Sequence, residues 1–201
     1  MGGRWVLFID ADETISPELA SEISRRCSDK TSSLNAFELT PRYLFWGTWL
    51  KRTQGYPNWH HRLLKAGEVR FSGGVWEHFA QPAQIGRIEL PYDHYANSKG
   101  FADWVERHNR YSTWDAQRTF EFLTSGQVAT LQTERKLALR KLAAYFWPLR
   151  PFARFFNMYL ARAGFTEGPA ALVFCWLYFI YEWMIVVKII ELFRQRHNLP
   201  L

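Results

Sequence analysis

Ala170 to Val187 is a run of 18 positions with one charge, Glu182. As a helix rising about 1.5 Å per residue it reaches about 27 Å, close to the thickness of a hydrocarbon core. The stretch before it, Arg135 to Arg162, holds seven Lys or Arg and no acid, interleaved with Leu, Phe, Tyr and Trp and broken by Pro148 and Pro151. Basic amphipathic helices of this kind lie on anionic lipid surfaces. A central Glu is costly in lipid, and Trp176, Tyr178, Tyr181 and Trp183 favour the interface, so a hairpin or in-plane helix is expected over a true span. A soluble bundle with Lys and Arg on its exterior is the alternative.

The remaining composition narrows the class. Aromatics make up 17% of 201 residues, too many large apolar side chains for a disordered chain. Cys27 and Cys175 are the only cysteines, so neither a disulfide framework nor a Cys-based zinc site is expected, and a reducing, cytoplasmic-side environment fits. Met1 to Arg4 leads straight into an apolar strand without signal-peptide features, so secretion is not expected. The net charge of +6 sits on sequence with wide apolar faces and no reading motif, which argues against a nucleic-acid partner.

Along the chain the texture changes from α/β to helical. Trp5 to Ile9 is a continuous apolar run ending in Asp10-Ala11-Asp12-Glu13, the pattern of a buried central strand delivering acids to its C-terminal edge, where ligands bind in open α/β sheets. Ser16, Pro17 and Glu18 form a helix start, with Leu19 and Ile23 on the apolar face, predicting a first helix of roughly ten residues. Short β-like pieces follow at Ala36 to Leu39, His61 to Leu64 and Arg87 to Leu90, separated by turn residues. From Ser98, a potential cap, Phe101, Trp104, Val105 and His108 recur at helical spacing. These features predict an α/β region over 1–97 and a helical, membrane-associated region over 98–201.

Asp10-Ala11-Asp12 sets two carboxylates at alternate positions, a spacing that lets both approach one divalent cation. Such a pair serves nucleotide-sugar transferases, which hold Mg²⁺ or Mn²⁺ against a diphosphate. With Thr14 it also satisfies the DxDxT pattern of haloacid-dehalogenase-type phosphatases, although no downstream acidic pair in a GDxxxD-like setting follows. Both acids can equally cap the helix and line a turn.

Further motifs follow in order: Gly55-Tyr56-Pro57-Asn58-Trp59-His60-His61-Arg62-Leu63-Leu64, then Arg70-Phe71-Ser72-Gly73-Gly74-Val75-Trp76-Glu77-His78-Phe79, then Tyr92-Asp93-His94-Tyr95. Together with the DADE strand and the basic aromatic tail, they make the chain resemble bacterial family 2 glycosyltransferases of the lipopolysaccharide core beta-glucosyltransferase type, over essentially its whole length.

The resemblance implies a partial GT-A (nucleotide-diphospho-sugar transferase) fold followed by a helical, membrane-apposed C-terminal region. It implies an inverting, metal-dependent transfer from a nucleotide-sugar donor to a lipopolysaccharide-core or other lipid-linked acceptor, at the cytoplasmic face of the bacterial inner membrane. Asp10 and Asp12 then belong to a site for Mg²⁺ or Mn²⁺ and diphosphate, His94 completes the metal shell, and Glu77 is the general base. Arg62 contacts phosphate or acceptor, or forms a simple salt bridge; Trp59 and Trp76 stack on a sugar or only pack. Trp76 stands where the family usually has His, and Asn58 where it usually has Asp. Family members place a nucleotide-binding βαβ half before the DxD strand, which here begins at residue 5, so the resemblance implies a chain lacking that half and inactive alone, with a non-catalytic membrane-associated protein as the rival reading.

Overall fold

The computed structural model describes residues 4–72, 78–79, 83–125 and 145–201. These form a mixed α/β protein that divides into two compact units, Met1–Ser98 and Lys99–Leu201. In the first unit the elements run β1 (Trp5–Leu7), β2 (Glu13–Thr14), α1 (Pro17–Ser28), β3 (Ala36–Phe45), β4 (Thr48–Trp49), β5 (His60–Lys65), β6 (Phe71–Ser72), β7 (His78–Phe79) and β8 (Ile85–His94). The main sheet has six strands in the order β1-β5-β3-β8-β2, with β4 paired to β3, while β6 and β7 pair separately. Among the described residues only the β3–β8 pairing is parallel, and the other pairs are antiparallel.

Helix α1 starts as its letters require. The Ser16 hydroxyl accepts from the Leu19 N–H at 3.2 Å, Pro17 occupies the first turn, and the helix runs 12 residues. Leu19 is fully buried and packs on Phe37, Leu39, Leu63, Ile88 and Tyr92 from the sheet. The other sheet face packs Ala36 and Leu64 against Val69 and Phe79.

The first strand corrects the expectation of a central one. β1 is three residues long, ends the sheet order and pairs with β5. Trp5 and Leu7 pack on the cluster beneath α1, and Val6 on the opposite cluster. Its unbroken apolar run reflects cover on both faces, which an edge strand can have as readily as a central one.

The strands β3 and β8 run ten residues each, longer than the pieces legible in sequence. Pro41 and Pro91 mask their continuity. The β3–β8 register slips between Leu39 and Pro41, which opposes Tyr92, so both prolines sit at an irregularity where a missing N–H is tolerated.

The second unit contains α2 (Gly100–Ser125), α3 (Arg150–Phe156) and α4 (Gly168–Arg196). Pro151 sits in the first turn of α3 and starts that helix. A π-helical turn, Asn157–Ala161, and a 3₁₀ turn, Gly164–Glu167, lead into α4. The segment Gly164–Arg196 is the one described helix long and apolar enough to cross a membrane, although only 44% of its apolar window is buried. Glu182 is buried against α3, where its Oε2 lies 2.9 Å from Arg150 Nη2, so the charge inside the apolar run is met within the protein. Beside α2, the Lys188 ammonium donates to Asn109 Oδ1, Ser112 Oγ and Thr113 Oγ1 at 2.7–2.8 Å. Much of the basic stretch beginning at Arg135 lies outside the described residues.

A candidate acidic site at the sheet edge

The turn after β1 closes on itself. Glu13 N–H donates to the Asp10 carbonyl, and Asp10 N–H donates to Glu13 Oε2, both at 3.0 Å. The Glu13 side chain is fully buried, whereas that of Asp10 is 63% exposed. The short strand β2 then pairs with the end of β8, setting Glu13 opposite His94, and Tyr95 N–H donates to the Asp12 carbonyl at 2.9 Å.

Arg62 reaches this turn because of a bulge. Phe37 opposes Leu63 and Glu38 opposes His61, so Arg62 is the extra residue of β5, re-aimed as bulges re-aim side chains. Its Nη2 donates to Glu13 Oε1 at 2.6 Å and to Asp10 Oδ2 at 3.0 Å. Its Nε donates to the Tyr92 hydroxyl at 3.4 Å, and its guanidinium carbon lies 5.4 Å from the centre of the Tyr92 ring.

Beneath the turn, a polar chain runs from the exposed Asn58 through the partly buried His60 to the buried Tyr92. Asn58 Nδ2 donates to His60 Nε2 at 3.0 Å, which leaves His60 Nδ1 as the protonated nitrogen, donating to the Tyr92 hydroxyl at 3.0 Å. Burial pushes the His60 imidazole down to about 4, aided by the Arg62 charge, so this ring is neutral near pH 7. Burial pushes the Glu13 carboxyl up, against the opposing pull of the Asp10 N–H and Arg62. For Arg62, burial works against the charge, but Tyr92, Glu13 and Asp10 outweigh it and hold the guanidinium above its usual value.

His94 sits at the rim. Its Nε2 lies 3.7 Å from Asp12 Oδ2, its Nδ1 3.5 Å from Glu13 Oε1, and the Tyr43 ring packs on it at 4.9 Å between centroids. Asp93 faces the opposite way along β8, where its Oδ2 accepts from Arg42 Nη2 at 2.9 Å.

The fold thus gathers Asp10, Asp12, Arg62 and His94, and adds Glu13, which the sequence reading passed over. The other expected residues stand elsewhere. Trp59 is half-buried with Arg87 over its ring at 4.9 Å, so that face is already stacked by a guanidinium rather than open to a sugar. Glu77 and Trp76 lie outside the described residues.

At formal charges the three acids and one guanidinium leave an excess of two negative charges at the rim, an environment that attracts a divalent cation. Carboxylate and imidazole donors suit Mg²⁺ or Mn²⁺. Among the described residues, however, no three His, Cys, Asp or Glu side chains converge as a ready metal cage. Arg62 spans Asp10 and Glu13, while His94 lies 3.7 Å from Asp12 and 3.5 Å from Glu13.

Comparison with protein-family models, curated proteins and solved structures found no match.

Proposed function

We propose that this chain is a family 2-type glycosyltransferase with a GT-A-like catalytic region. It would use a nucleotide-sugar donor and a lipopolysaccharide-core or other lipid-linked acceptor at the cytoplasmic face of a bacterial inner membrane. The observation that carries the reading is the convergence of Asp10, Asp12 and Glu13 with Arg62 and His94, which lie about fifty and eighty residues further along the chain.

Asp10, Asp12 and His94 would hold Mg²⁺ or Mn²⁺, which when bound neutralises the charge of a departing diphosphate. Arg62 has a separate task. Locked between Glu13 and Asp10 and resting on Tyr92, it fixes the carboxylate turn in place, and the second Asp10 oxygen stays available at the surface. Glu77 is assigned by resemblance as the base that takes the proton from the acceptor hydroxyl.

The test is transfer of radiolabelled sugar from a set of nucleotide sugars to a lipid-linked acceptor in membranes, measured in a reconstituted form that includes the nucleotide-binding half implied by the resemblance. Asp12→Ala should abolish metal-dependent turnover, and Glu77→Gln should lower it by about 10²–10⁴-fold, the range for a lost general base. Unchanged rates in both variants would remove the reading.

A further inference from the structure

We propose that the second unit is a monotopic membrane module, with α3 and α4 lying in the plane of one anionic leaflet and α2 on its water side. This goes beyond sugar transfer and stands or falls independently of it.

The inference rests on how α4 distributes its side chains. Trp176, Ile180, Trp183, Val187 and Ile190 are each 41–49% exposed. At about 100° per residue they fall within an arc of about 80°, forming an unbroken apolar stripe. The residues that meet α2 centre about 160° away on the same helix. There the Tyr181 hydroxyl donates to Asp115 Oδ2, Lys188 is held by Asn109, Ser112 and Thr113, and Ile185 and Ile189 pack on Ala116. Glu182 faces α3 and its Arg150. Between Trp176 and Ile190 the helix turns both of its charges, Glu182 and Lys188, toward protein and its apolar groups outward, the reverse of a water-soluble surface helix.

Helix α3 widens the apolar surface. Leu149, Phe152, Phe156 and Leu160 are 46–57% exposed, and the aromatic contacts Phe152–Phe179 and Phe155–Trp176, at 5.3 and 5.0 Å, join α3 to α4. Arg150 and Arg154 lie on the other side of α3, with Arg154 stacked over Tyr178 at 5.1 Å, on the flank of α4 that meets α2. An aromatic face two helices wide, flanked by the exposed Arg154, suits acyl chains below and anionic headgroups beside it. A coiled-coil partner would need only a single narrow seam.

A transmembrane course is incompatible with α2. This helix runs beside α4 in the same direction, from the His108–Tyr181 contact to Phe120–Phe193. Along that length it exposes Arg110, Thr113, Gln117 and Arg118, which a spanning α4 would carry through the hydrocarbon.

Nitroxide labels at 176, 180, 183, 187 and 190, and on α2 at 110 and 117, test this in the full chain bound to phosphatidylglycerol/phosphatidylcholine vesicles. With Cys27→Ser as background, the five α4 labels should show high oxygen and low nickel-chelate accessibility at nearly one depth, and the two α2 labels should be aqueous. A depth that rises to a maximum and falls along α4 would overturn the proposal in favour of a span. Stripe labels shielded from both relaxants, with spin–spin broadening before lipid is added, would overturn it in favour of a second copy of the chain. In the unlabelled protein, Ile180→Glu with Val187→Glu should lower the vesicle-bound fraction at least about tenfold with the helical circular dichroism retained; unchanged binding would contradict the proposal.

Discussion

Glu13 illustrates how a residue's role emerges from partners distant in sequence. In Asp10-Ala11-Asp12-Glu13 it reads as one more acid before a helix, yet its side chain is fully buried and held by Arg62 at 2.6 Å. Removing one member of such a pair leaves the other charge in a poor solvent, which usually costs about 3–5 kcal/mol. Arg62→Ala should therefore lower the urea midpoint sharply, whereas Glu13→Gln, which keeps a hydrogen-bonding side chain, should cost less. Equal, small losses in both variants would show that water already screens the pair. The candidate site was legible in Asp10, Asp12, Arg62 and His94. Glu13 and His60 were not, because burial and the bulge at Arg62 become visible only when β5 and β8 stand in register with their neighbours.

At the scale of elements, helix α1 was readable because its cap, first-turn proline and apolar face are local. The long strands β3 and β8 were not, since Pro41 and Pro91 look like terminators until the register slip accommodates them. The edge position of β1 was hidden for the opposite reason, an apolar run that pointed to the centre. The β3–β4 hairpin was also missed. Phe45 opposes Thr48 across a two-residue turn, Trp46-Gly47, in which both residues have positive φ, +49° and +76°. Such turns favour Asn-Gly, and a bulky residue there is strained by about 1 kcal/mol or more. Trp46 is 68% exposed, so Trp46→Asn should keep the fold and raise the thermal midpoint by a few degrees. A fall in the midpoint would mean that the stacking of Trp46 on Phe45, at 4.8 Å between centroids, outweighs the turn strain.

For the whole molecule, an α/β unit carries an acidic rim and a helical unit carries an apolar surface. The apolar segment of α4 was plain from sequence. What made its charge tolerable was not, because the Glu182 partner, Arg150, belongs to a helix that begins where Pro148 and Pro151 suggest only interruption. If the proposed function holds, the acidic rim binds a nucleoside diphosphate through a divalent cation. Isothermal titration of the chain with nucleoside diphosphates, in Mn²⁺ and again in EDTA, measures this most directly. Binding in Mn²⁺ should disappear in EDTA and weaken at least about tenfold in Asp12→Ala, a loss of about 1.4 kcal/mol or more. Binding of equal strength with and without the metal, or in the wild type and Asp12→Ala alike, would contradict it.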